Sequence, residues 1–115
     1  MISTCFIINR TGPALRINQA TDQPVGSWIL PSNGQVIQNG SHAEVRAMEY
    51  IPLPPPKTSW TVDFVDPSTG KAGEIELDAP REGANHWSFK GEATFAYEVV
   101  NPVGNIYTII VQLAE

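Results

Sequence analysis

The sequence predicts an all-β fold, a compact antiparallel β-sandwich. Three observations carry that prediction. Val, Ile, Thr, Phe, Tyr and Trp come in short runs, and Gly, Pro, Asn and Asp punctuate them. No ten-residue stretch holds a 3.6-residue period. Where apolar and polar residues alternate, they give a sheet one dry face and one wet face, as antiparallel sheets have. A dry face needs a second layer to cover it.

Ten strands follow from the alternation. Ile2 to Asn9 opens the chain, and Ala14 to Asn18, Ser27 to Leu30 and Gln35 to Gln38 follow as short segments. In His42 to Glu49, the residues Ala43, Val45 and Ala47 form an inner row. In Ser59 to Val65 the inner row is Trp60, Val62 and Phe64. Gly73 to Asp78 turns Ile75 and Leu77 inward and Glu74, Glu76 and Asp78 outward. Trp87 to Phe89 is a short strand. In Thr94 to Val100 and Ile106 to Leu113 the odd positions point inward. Asp66-Pro67-Ser68-Thr69-Gly70 and Asn101-Pro102-Val103-Gly104-Asn105 have turn chemistry, and Asn33-Gly34 and Asn39-Gly40 tolerate positive φ.

The 115 residues make one domain, 1–115, with no repeat and no long linker. A chain of this size buries roughly two-thirds of its unfolded surface. Hydrophobic content of 42% against 17% charged is that of a globular protein. A net charge of −5 and a pI near 4.9 argue against nucleic acid as a partner and against simple electrostatic binding to anionic lipid. The single cysteine, Cys5, rules out an internal disulfide. The N-terminal residues lack a basic segment and a long apolar run. The expectation is a protein that is cytoplasmic, or secreted without a recognisable signal peptide. The sequons at Asn9 and Asn39 read as turn chemistry.

Catalytic and cofactor signatures are sparse. The sequence shows no nucleophile elbow and no Gly-rich phosphate loop, and a non-enzymatic protein without cofactor is expected. His42 and His86 have no Cys or His partner at metal spacing, and Glu74, Glu76 and Asp78 read as a solvated face, so no metal is expected. The run Ile51-Pro52-Leu53-Pro54-Pro55-Pro56-Lys57 has the form of a polyproline ligand, but reads better as a stiff connector that protects a sheet edge. Pro80-Arg81-Glu82-Gly83-Ala84-Asn85-His86-Trp87-Ser88-Phe89 is different. It sets apolar and hydrogen-bonding groups together on a connection, which is where binding concentrates. The candidate ligand-binding residues are Trp28, Tyr50, Pro80, Arg81, Asn85, His86 and Trp87. Aromatic rings would sit at an interface while Asn85 and Arg81 hydrogen-bond a polar head.

Several short patterns follow one another along the chain: Asn9-Arg10-Thr11-Gly12, Gly26-Ser27-Trp28, Gly40-Ser41-His42-Ala43 and Pro80-x-x-Gly83-x-Asn85-x-Trp87. Over nearly the whole chain this order resembles the aegerolysin and actinoporin-like cytolysin group, including its bacterial mosquitocidal crystal-protein relatives. The resemblance implies a β-sandwich that recognises a lipid head group or a sterol- or sphingolipid-containing membrane, sometimes as one component of a pore-forming pair with a protein partner. The chain departs from the actinoporins in opening directly on a strand. It also has Arg81-Glu82 where their phosphocholine loop starts with an aromatic, so the head group itself is not carried over. Fungal lectins of similar fold bind sugars, which keeps a glycan-binding, lectin-like module as an alternative. A structural protein-interaction domain is another.

Overall fold

The computed structural model describes residues 2–22, 27–48, 57–80 and 84–115. All the regular structure in them is β. The strands are β1 (Ile2–Asn9), β2 (Leu15–Asp22), β3 (Ser27–Ile29), β4 (Val36–Ile37), β5 (His42–Met48), β6 (Lys57–Asp66), β7 (Lys71–Pro80), β8 (His86–Lys90), β9 (Phe95–Val103) and β10 (Ile106–Leu113). They form two five-stranded sheets, ordered β3-β5-β1-β10-β9 and β4-β2-β6-β7-β8. The sheets pack face to face as a β-sandwich. Of the expected connector Ile51 to Lys57, residues 51–56 lie outside the described residues and Lys57 opens β6; the end of the fifth predicted strand at Glu49 also lies outside them.

The inner faces follow the expected alternation. Trp60, Val62, Phe64, Ile75 and Leu77 from one sheet meet Cys5, Ile7, Val45, Phe95, Ile109 and Val111 from the other, and all are buried. Burying each large side chain contributes about 1.5–3 kcal/mol. Aromatic rings tie the layers together. Phe64 meets Phe95 edge-on with centroids 5.0 Å apart. Cys5 lies deep in this core, and burial pushes its thiol pKa up to about 12.

Three differences from the expected pattern have physical causes. First, β1 pairs with β10 in parallel, Cys5 opposite Tyr107 and Ile7 opposite Ile109, whereas the other pairings are antiparallel. Parallel strands tend to be apolar on both faces. Accordingly Ile110, on the outer face, is buried among its neighbours at 9% exposure. Second, β2 runs four residues past Asn18, to Asp22. A bulge between Ile17 and Gln19 resets its alternation against β6. Third, β9 continues through Pro102 to Val103, which proline permits because β9 is an edge strand. Val99 and Leu113 were expected to face the core but are 38% and 49% exposed, one on this edge strand and the other at the end of β10.

The register defines two poles. At the apical pole stand the ends of β1, β3 and β5, where Ile2 faces Met48 and Ser27 faces Ala47. The same pole holds the β9–β10 turn, with Val103 opposite Ile106. In the other sheet it holds Lys57 opposite Pro80 and His86 opposite Asp78. At the basal pole, Asp66 faces Lys71 across the turn 67–70, and Phe95 faces Leu113.

The Asn9-x-Thr11 motif closes the basal end. The Asn9 side chain is fully buried. Its Nδ2 donates to the carbonyls of Pro13 (2.9 Å) and Ile37 (2.8 Å). Its Oδ1 accepts from the Thr11 amide (2.9 Å) and hydroxyl (2.7 Å). A buried amide must satisfy its donors and acceptor, and this one does so by sewing three backbone segments together. The sequon at this position is therefore turn chemistry.

Candidate functional site at the apical pole

Four of the candidate residues lie at the apical pole with described side chains. Pro80 ends β7, and Asn85 precedes His86 and Trp87, which open β8. His86 is exposed, while Asn85 and Pro80 are half-buried. Trp28 lies in β3, whose Ser27 faces Ala47 near the same pole; its side chain lies outside the described set. Tyr50 and Arg81 also lie outside the described residues. The strand ends that flank them, Met48, Lys57 and Pro80, are apical.

Trp87 differs from the expectation of a ring presented at an interface. It belongs to an edge strand whose exposure alternates, with His86, Ser88 and Lys90 outward and Trp87 and Phe89 half-buried. The Trp87 ring stacks with Phe89 (6.1 Å, 8°) and meets Trp60 (6.2 Å, 80°) and Tyr107 (6.0 Å, 71°) edge-on. Phe89 in turn stacks on Tyr97 of β9 at 4.6 Å. The aromatics therefore form a seam that closes the flank between the edge strands β8 and β9. Trp87 connects core to flank: its ring is half-buried and packs inward, while His86, the preceding residue, faces outward.

The sequence reading missed the neighbouring β9–β10 turn. Val103 is 78% exposed and Ile106 49%, the most open large apolar side chains at this pole among the described residues. Tyr107, next to Ile106, touches Trp87, so the turn and the candidate residues are adjacent. A signal was present: Val99 to Ala114 carries no charged residue. The turn chemistry of Asn101-Pro102-Val103-Gly104-Asn105 masked it.

A second feature lies on the outer face of the other sheet. Gln19, Asp63, Glu74 and Lys90 form one cross-strand row over β2, β6, β7 and β8. They border a trough of about 420 Å³. Asp63 and Glu74 share a hydrogen bond. Desolvation first, and then that bond and the charge of Glu74, push the Asp63 carboxyl up to about 6, while Lys90 pulls the other way. Lys90 Nζ lies 3.1 Å from Glu74 Oε2, and that contact raises the lysine pKa. The two residues are directly opposite each other on β6 and β7. Glu74 was expected to be merely solvated. Its pairing with Asp63 depends on register, which alternation alone does not give. Among the described residues, no group of three or more His, Cys, Asp or Glu side chains is placed to hold a metal ion.

Compared with known families and curated proteins, the chain matches no family model and no curated protein. No helix among the described residues is long and apolar enough to cross a membrane.

Proposed function

We propose that the protein recognises the head group of a membrane lipid through its apical pole, as the recognition component of a cytolysin-like system. One observation carries this reading. The polar start of β8, Asn85 and His86, lies at the same pole as the exposed Val103 and Ile106 of the β9–β10 turn, and Trp87 touches Tyr107 beside that turn. The polar residues described at this pole, Asn85 and His86, supply hydrogen bonds to a head group, and the apolar ones contact the acyl boundary. With a net charge of −5, affinity comes from these specific contacts and not from bulk attraction to anionic lipid. The resemblance to the aegerolysin and actinoporin-like group points the same way.

The test is co-flotation with liposomes of varied head group, sphingolipid and sterol content. Wild type is expected to float with at least one composition. Asn85→Ala/His86→Ala is expected to bind about tenfold more weakly, as removal of a charge-assisted contact implies. His86 is exposed and Asn85 half-buried, so the fold survives the change. Inert liposomes alongside binding to an immobilised neutral glycan would overturn the lipid reading in favour of glycan binding. The trough at Asp63 and Glu74 favours that second reading, because its carboxylates, amide and lysine can bond sugar hydroxyls from both sides.

A further inference from the structure

We infer that the β9–β10 hairpin tip is a preformed wedge that enters the apolar part of a bilayer once the head group is engaged. The inference rests on the lipid reading above and adds the element that penetrates. Exposed valines and isoleucines scattered singly over a surface carry no message. Here Val103, 78% exposed, and Ile106, 49%, stand directly opposite each other at the apical end of one hairpin, with the exposed Val100 and Val99 further along β9. No charged side chain occurs between Val99 and Ala114, so insertion of the tip desolvates no charge. Within residues 101–105 the sequence has two polar side chains, Asn101 and Asn105.

The tip is also held in place. Gly104 has a φ of 61° and is the first central residue of the two-residue turn, the geometry that glycine allows in a tight hairpin. The Asn105 carbonyl accepts the Thr4 amide at 2.9 Å, which ties the turn to β1. At its foot, Tyr107 is buried against Trp87. A tip already ordered in the free protein loses little entropy on binding. The partner is therefore a lipid surface of low net charge, entered by apolar side chains beside the polar residues of β8.

The experiment places an environment-sensitive dye on Val103→Cys and Ile106→Cys, with Ser68→Cys at the basal pole as control. Cys5 is 1% exposed and its thiol pKa is about 12, so it stays unlabelled. The probes are vesicles of phosphatidylcholine, sphingomyelin and cholesterol, with and without phosphatidylethanolamine, some carrying acyl-chain spin labels. The expected result is a blue shift and spin-label quenching at 103 and 106, and neither at 68. Val103→Ser/Ile106→Ser, with unchanged circular dichroism, is expected to lower vesicle partition on the order of a hundredfold. Bound protein with dyes at 103 and 106 unquenched, or unchanged partition of the serine variant, would overturn the wedge and leave head-group recognition standing. No co-flotation with any vesicle would overturn both.

Discussion

At the scale of single residues, the most informative side chain is Asp63. Its carboxyl, pushed up to about 6, shares a hydrogen bond with Glu74 on the neighbouring strand. Between about pH 4 and about pH 6 the folded protein thus holds a proton that the unfolded chain has released. The associated stability is fully present below the unfolded value and is lost as pH rises through about 6. Asp66 works in the opposite direction. Hydrogen bonds from Ser68 lower its pKa, so its contribution is present above the ordinary carboxylate range and lost as pH falls through the folded value. Solvent screening keeps the Asp63 effect below about 1 kcal/mol. Thermal melts of wild type and Asp63→Asn from about pH 4 to about pH 8 check the sign. Wild type should gain on the variant as pH falls through about 6, and a constant difference would mean that Asp63 and Glu74 share no proton.

At the scale of elements, β8 shows how far alternation reaches. The strand, its length to within two residues, and the presence of paired aromatics were legible, because a period of two fixes which side chains share a face. The destination of that face was not legible. In the sequence Trp87 opens a short strand directly after a loop, next to the polar His86 and Asn85, and reads as a ring at an interface. In the fold it is packed against Trp60, Phe89 and Tyr107 because β8 is the last strand of its sheet and must close the flank. The same limit applies to the parallel β1–β10 pair, the bulge in β2 and the Asp63–Glu74 contact. Each depends on which strand lies beside which, and no single strand encodes that. The consequence for experiment is direct. Trp87→Ala should destabilise the protein by about 1–3 kcal/mol, less than a fully buried tryptophan because the ring is half-open. It should also flatten the near-ultraviolet circular dichroism, whereas Trp87→Phe should restore much of both. Denaturant unfolding of the two variants measures this. A Trp87→Ala protein of wild-type stability would place the ring outside the core. Loss of lipid binding in Trp87→Ala alone is therefore not diagnostic, and Asn85 and His86 are the cleaner probes.

At the scale of the whole molecule, the two poles have different chemistry. The basal pole is closed by hydrogen bonds: the buried Asn9 network, the Asp66–Ser68 turn and the backbone bonds of residues 91–95. Its function is to hold the strands in register. The apical pole carries the uncharged hairpin tip and the polar start of β8. The strands that carry Trp28 and Trp87, β3 and β8, both end towards this pole but on opposite flanks of the sandwich, because β8 packs on β9, at the other edge of the sheet from β3. The sequence could suggest the members of such a site but not their shared pole. If the apical pole faces the membrane, the molecule's axes, 42 × 26 × 21 Å, leave the basal turn well away from the bilayer. A bulky polyethylene glycol chain coupled at Ser68→Cys should therefore leave liposome co-flotation unchanged, since Ser68 is exposed on that distant turn. The same chain coupled at Asn105→Cys, in the apical turn, should abolish it while the uncoupled variant still floats. Comparing coupled and uncoupled forms at each position removes any effect of the substitution itself. Equal inhibition at both positions would mean that the protein lies flat on the membrane, with a sheet face and not a pole as its contact surface.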